Sequence, residues 1–269
     1  MRALLVAAAL LLSGCDTYHY LAGTLHEDAR RPARALPHYE KFIARRPKDP
    51  RTCEMRLRAA ELYRLTFGRC AEARVHYEAV ARDFAAVPAC AERGKAGLLA
   101  CPDYFPLDAG RTWVFVDSAS KGRAMRQEWE VRASSGAGGV IVNSLYAGDR
   151  RIRSESETYE KRDWAVWRVD GRQAEPLLRY PYALGQRWTA SRGKARLDYE
   201  VVAVDAVVTT AAGEFTGALK VRETDSRFPK VWRYDYYAPG VGRVKTTLGG
   251  PGYENPNAEL LRYDGGMLK

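Results

Sequence analysis

Thiol and imidazole chemistry in this chain is confined to its first 101 residues. Cysteines stand at 15, 53, 70, 90 and 101, and the four histidines are His19, His26, His38 and His76. A thiolate zinc site needs closely spaced Cys pairs or Cys and His in alternation. No CxxC occurs, and only His76 intervenes among the four later cysteines. The lack of His beyond residue 76 removes Ser-His-Asp catalysis and imidazole metal sites from everything that follows. There is no Gly-x-Ser-x-Gly elbow, no phosphate-cradling Gly-x-x-x-x-Gly-Lys loop and no dinucleotide fingerprint. Paired carboxylates could hydrolyse a glycoside, and Glu155, Glu157 and Glu160 are the densest group. Interleaved with Arg151, Arg153 and Lys161, they read as a solvated strand face. The expectation is a chain that is not an enzyme and holds no cofactor or metal.

The first cysteine has a particular setting. Arg2 is followed by an apolar run, Ala3 to Leu12, and then by Leu12-Ser13-Gly14-Cys15. The run is about half of the ~20 residues that a bilayer span needs, and its charged start and small-residue end are those of a secretory signal. The ending resembles the lipobox of bacterial lipoproteins. That resemblance implies a signal peptide over 1–14, cleavage before Cys15, and fatty acids such as palmitate on its thiol. It also implies a chain anchored to a membrane of the cell envelope and facing the periplasm, with residues 15–24 as lipidated Cys and tether. Asp16 resembles the inner-membrane retention signal of enteric bacteria, which leans towards one membrane without deciding between the two. With Cys15 set aside, an even number of cysteines remains in an exported chain, which reads as disulfides.

The formal net charge is +10. Residues 16–102 hold 16 basic and 11 acidic groups, and residues 103–269 hold 26 and 22, so the excess is dispersed. Nucleic-acid binding would need a concentrated basic stripe, and none is present. Such a dispersed excess reads first as a solvated mixed-charge surface, with anionic phospholipid head groups as the alternative it could face.

The positions of these groups depend on two kinds of element. From Leu25 to Cys101 the apolar period is helical. Ala35, Tyr39 and Phe42 recur as Ala73, Tyr77 and Val80, and Met55, Ala59, Leu62 and Thr66 lie between them. The matched copies resemble the tetratricopeptide repeat, which implies a short array over 25–101 that contacts a protein partner. His38 and His76 occupy equivalent places in the copies, which argues for packing and against a shared metal. In antiparallel helices Cys70 opens one helix and Cys101 closes the next, while Cys53 and Cys90 begin the helices on either side. The expected bridges are Cys53–Cys90 and Cys70–Cys101.

Beyond Pro102 the period becomes two. Met125, Gln127, Trp129 and Val131 oppose Arg126, Glu128, Glu130 and Arg132, and Trp232, Tyr234 and Tyr236 alternate with Arg233 and Asp235. Turns fall at Ser134–Gly139, Gly148-Asp149, Asp170-Gly171 and Ala212-Gly213, so nine to eleven antiparallel strands are expected over 103–269. Pro106, Gly110 and Trp113 form a phrase that returns as Pro181, Gly185 and Trp188, a turn that delivers an aromatic into the core. Tyr104-Phe105-Pro106-Leu107, Ala212-Gly213-Glu214-Phe215 and Tyr237-Ala238-Pro239-Gly240-Val241-Gly242 resemble, in that order, a group of exported bacterial β-domain proteins.

The fold class expected is therefore α+β in two domains: tetratricopeptide-like helical hairpins, then an antiparallel β-sandwich or partly open barrel. The function expected is a lipid-anchored interaction or structural module of the envelope. The alternative is a carrier or sensor of a hydrophobic ligand held by the β domain.

Overall fold

The computed structural model describes residues 17–135, 138–171 and 173–265. It divides into two compact units, Met1–Cys101 and Pro102–Lys269. The expected signal peptide, 1–14, and the expected lipidation site, Cys15, lie outside the described residues.

In the first unit α1 spans residues 17–28. It is followed by α2 (Pro32–Arg45), α3 (Thr52–Glu61), one π-helical turn (Leu62–Thr66), α4 (Cys70–Asp83) and α5 (Pro88–Leu99). Pro32 and Pro88 occupy the first turns of their helices, where a missing N–H costs nothing. Ala35, Tyr39, Phe42, Ile43, Met55, Ala59 and Leu62 form one buried cluster with Tyr20 and Leu36 packed against it. Gly94 and Gly97 let α5 lie close on α4, since a Cβ at either would run into Val80 or the Tyr77 ring.

Within the stretch expected as lipidated Cys and tether, 15–24, the described residues are helical from 17 onwards. One expectation is corrected here. The matched copies are not structural repeats. A solenoid needs about three stacked units to bury a continuous core, whereas this is a small bundle of five helices. The copies also meet different surroundings. His38 lies 3.0 Å from His19 and beside the His26 ring. His76 is buried, stacks on Tyr63 and reaches Glu40 at 3.1 Å.

The second unit is a single sheet of twelve strands: β1 (Thr112–Asp117), β2 (Met125–Ser135), β3 (Gly138–Ala147), β4 (Arg150–Arg162), β5 (Ala165–Asp170), β6 (Gln173–Arg179), β7 (Arg187–Arg192), β8 (Ala195–Thr210), β9 (Gly213–Asp225), β10 (Trp232–Ala238), β11 (Gly242–Gly250) and β12 (Tyr253–Asp264). Their order is β6-β5-β4-β3-β2-β1-β12-β11-β10-β9-β8-β7, so every neighbour is next in sequence except β1 and β12, which pair with each other. That order overturns the sandwich. There are no two facing sheets, but one antiparallel meander curled into a nearly closed barrel whose free edges are β6 and β7. Seven of its eleven ladders carry a register shift, and such bulges bend and twist a sheet enough to curl it.

Turn glycines match the hairpins: Gly148, Gly171 and Gly240 have positive φ between consecutive strands. Trp113, Phe115, Trp129, Val131, Ile141, Tyr159, Leu197, Tyr199, Val201, Val221, Tyr237 and Leu260 are buried. On β2 the charged set Arg126, Glu128, Glu130 and Arg132 takes the other face, which is not what a lipid-facing strand carries.

A charged cleft at the barrel seam

Eleven neighbouring pairs are joined by backbone ladders, and β6 with β7 is the pair left out. Side chains span that seam instead. Trp188 Nε1 on β7 donates to the Pro176 carbonyl on β6 at 2.8 Å. Arg192 on β7 holds Glu175 on β6 through Nε at 3.0 Å and an Nη at 2.6 Å. Pro176 removes one edge N–H from β6, and both edge strands are short, which is how exposed edges are kept from pairing at random.

Behind the seam the interior is charged. Glu175, only 5% exposed, also accepts from Arg168 on β5 at 2.7 Å and from the Tyr199 hydroxyl on β8. Tyr199 lies 3.0 Å from Glu223 on β9, which Arg233 on β10 meets at 2.8 Å. Arg233 continues to Asp235 at 2.9 Å, and Thr246 on β11 donates to Asp235 at 2.7 Å. One polar network thus crosses the strands from β5 to β11. Isolated buried charges would each cost several kcal/mol, so they persist only as a mutually satisfied set.

Electrostatics follow from this arrangement. Burial would raise the Glu175 carboxyl, but hydrogen bonds from Arg192 and Tyr199 and the charge of Arg168 outweigh it and hold the group at about 2. Burial, together with the charges of Glu223 and Glu175, pushes the Tyr199 hydroxyl well above its ordinary value. Asp235 and Glu223 raise Arg233 further. Glu175, Tyr199 and Arg233 therefore each keep their ordinary charge state at neutral pH.

The network reaches solvent in a cleft of about 490 Å³. Glu155 and Glu157 of β4, Arg168 and Asp170 of β5, Gln173 and Glu175 of β6, and Ser191 and Arg192 of β7 form its walls. The dense carboxylate group seen in the sequence therefore divides. Glu155 and Glu157 belong to this cleft, with Tyr159 donating to Glu157 at 2.7 Å, whereas Glu160 is tied to Arg162. An acyl chain would find little apolar wall here. Elsewhere in the barrel Arg243 lies 4.1 Å from the Trp129 ring centre and 4.9 Å from that of Phe115, so these core aromatics are already engaged.

The four later cysteines meet in two pairs. Cys53 and Cys90 have Cα atoms 6.4 Å apart, and Cys70 and Cys101 5.4 Å apart, both within disulfide range. Among the described residues no three His, Cys, Asp or Glu side chains converge as a metal site, and no helix is long and apolar enough to cross a membrane.

The seam was not visible in the sequence. One signal was available: on β10 Arg233 and Asp235 alternate with three aromatics, and Asp235 is the buried member while Trp232, Tyr234 and Tyr236 are half-buried on the opposite face. The apolar set of a strand is ordinarily assigned to the core, and that habit hides a charged interior.

No protein-family model and no curated protein matches the chain. Among solved structures it is similar to a protein from Bacteroides fragilis assigned as exported, with a YmcC-like fold, at a TM-score of 0.44 and 16% identity over 61% of this chain and 100% of that one. It is similar also to a protein from Parabacteroides distasonis assigned as a lipoprotein, at a TM-score of 0.38 and 14% identity over 60% of this chain and 98% of that one. The hypothetical protein CT021 from Chlamydia trachomatis matches at a TM-score of 0.24 and 10% identity, over 58% of this chain and 87% of that one.

Proposed function

We propose that this chain is a non-enzymatic, lipid-anchored protein of the cell envelope whose barrel seam binds an extended segment of a partner protein. The observation that carries the reading is the open β6–β7 edge in a barrel otherwise joined by ladders. Free strand edges offer main-chain hydrogen bonds to an extended peptide, and the flanking side chains supply selectivity. Glu155, Glu157, Asp170 and Arg192 give the cleft a charged, mixed-sign wall suited to a polar segment. The non-enzymatic half rests on Glu175, whose carboxyl the hydrogen bonds from Arg192 and Tyr199 hold well below the usual carboxylate range, so that it cannot serve as an acid at neutral pH. The envelope address rests on the Leu12–Cys15 pattern and on two cysteine pairs at bridging distance, which suit an oxidising compartment.

The test is a photo-crosslinking residue at Ser191 or Gln173 in chains expressed in their own envelope. A discrete protein adduct from either position, absent when the crosslinker replaces exposed Arg132 on β2, is the expected result. Adducts to lipid alone, or the same pattern from all three positions, would overturn the seam as the binding surface.

A further inference from the structure

α1 carries an exposed apolar stripe in which, among the described residues, only the Tyr18 ring meets another element, edge-on to His38 at 5.6 Å. Tyr18, Leu21 and Leu25 are 61%, 58% and 69% exposed. Spacings of three and four put them on one face of the helix. The opposite face is occupied: Tyr20 meets the Phe42 ring, Glu27 accepts from Tyr39, and His19 and His26 lie beside His38. A helix that packs one side into a core ordinarily turns polar groups outwards. This one turns outwards a tyrosine and two leucines, immediately after the segment that ends in Cys15.

We infer that α1 is an interfacial helix that lays Tyr18, Leu21 and Leu25 into the lipid head-group region, holding the helical unit flat on the membrane. The inference rests on the lipid-anchor reading for its geometry: the helix is already formed at residue 17, so acyl chains on Cys15 would hold the start of α1 at the bilayer surface. Charge points to the same occupant. Arg30, Arg31 and Arg34 are exposed just beyond the stripe, against the single exposed carboxylate of Asp28 in that stretch. Three cations beside an apolar stripe fit an anionic bilayer surface, where apolar burial and head-group attraction add. A water-facing role would leave the leucines without purpose, and a partner protein would not by itself call for the arginine cluster.

The test uses the mature-length chain from residue 16, made without acylation, so that any affinity belongs to the protein surface. Co-sedimentation is measured with phosphatidylglycerol–phosphatidylethanolamine vesicles and with phosphatidylcholine vesicles. The unsubstituted chain is expected to sediment with the anionic vesicles. Tyr18→Ser with Leu21→Ser and Leu25→Ser should lower its partition about tenfold or more. Arg30→Ser with Arg31→Ser and Arg34→Ser should lower it about fivefold per arginine, on anionic vesicles only and with loss of salt sensitivity. Circular dichroism checks that both variants keep their helices. Equal sedimentation of the parent chain and the stripe variant would overturn the inference, as would a stripe variant whose only change is loss of self-association. Intact mass of native material reports separately on Cys15: a bare thiol there with vesicle binding retained would sink the anchor and leave the interfacial helix standing.

Discussion

Trp113 and Trp188 occupy equivalent places in the two halves of the barrel. Each follows a Pro by seven residues and a Gly by three, and each is buried. The surrounding hydrogen bonds repeat. Gly110 N donates to Val131 O at 2.8 Å and Val131 N to Arg111 O at 2.9 Å; Gly185 N donates to Val201 O at 2.8 Å and Val201 N to Gln186 O at 2.9 Å. The barrel is thus two six-stranded halves, one opening with β1 and the other with β7. In that scheme the β12–β1 ladder is the counterpart of the β6–β7 junction. One junction is joined by a backbone ladder, whereas the other is bridged only by the side chains of Trp188, Glu175 and Arg192 and keeps its strand edges unpaired.

Trp113→Phe and Trp188→Phe should each cost about 1–2 kcal/mol, because each leaves a carbonyl without its donor. The two should differ in where they loosen the sheet. Trp188→Phe should speed hydrogen exchange along β7, an edge strand, while β1, laddered on both sides, stays protected in Trp113→Phe. Equal exchange changes in the two strands would show that the seam is no weaker than its counterpart.

Glu175→Gln should destabilise the barrel by about 3 kcal/mol, since Arg168 and Arg192 lose their shared partner while remaining partly buried. Urea melts followed by tryptophan fluorescence report on this unit, because all six tryptophans lie beyond residue 102. A loss below about 1 kcal/mol would mean the network contributes no more than surface ion pairs do.

Acid should weaken the barrel through the same group. The folded carboxyl sits at about 2 against an ordinary value of 4.5, so its contribution is fully present above the unfolded value and is lost as pH falls from 4.5 towards 2. The contribution at stake is at most about 3 kcal/mol. Stability measured across that window should fall steeply for the parent chain and less for Glu175→Gln. Parallel curves would assign the acid sensitivity to other carboxylates.

Reduction should unfold the first unit and spare the second. The two bridges close loops of 37 and 31 residues, each worth about 4 kcal/mol in the chain-entropy account, and a bundle of this size has little core to replace them. With dithiothreitol the helical circular dichroism should melt at lower temperature while tryptophan fluorescence holds its transition. Non-reducing peptide mapping that returned Cys53 with Cys70 would contradict the helix arrangement itself.

How far these features could be read from the chain varies with how local they are. The helical period of Ala35, Tyr39 and Phe42 and the strand period of Trp129 and Val131 follow from side-chain spacing alone, and the structure buries these residues. The Gly-containing turns likewise depend on a few adjacent residues. Similar phrases around His38 and His76 do not make a repeat array, because they say nothing about what packs on each. The site itself was least legible: Glu175 looks like one more charged residue before a proline, and only the return of β7 against β6 gives it Arg192 and Tyr199 as partners.

Period two tells which residues of β10 share a face; it cannot tell which face turns inwards. That choice, and whether twelve strands separate into two sheets or curl into one, depends on bends accumulated over eleven ladders and on whether the inward charges find partners on strands far away in sequence. Side-chain chemistry over a few residues settles helix, strand and turn, because those energies act between near neighbours. The charged seam arises only from the closure of the whole sheet, since its stability belongs to contacts that no single segment possesses.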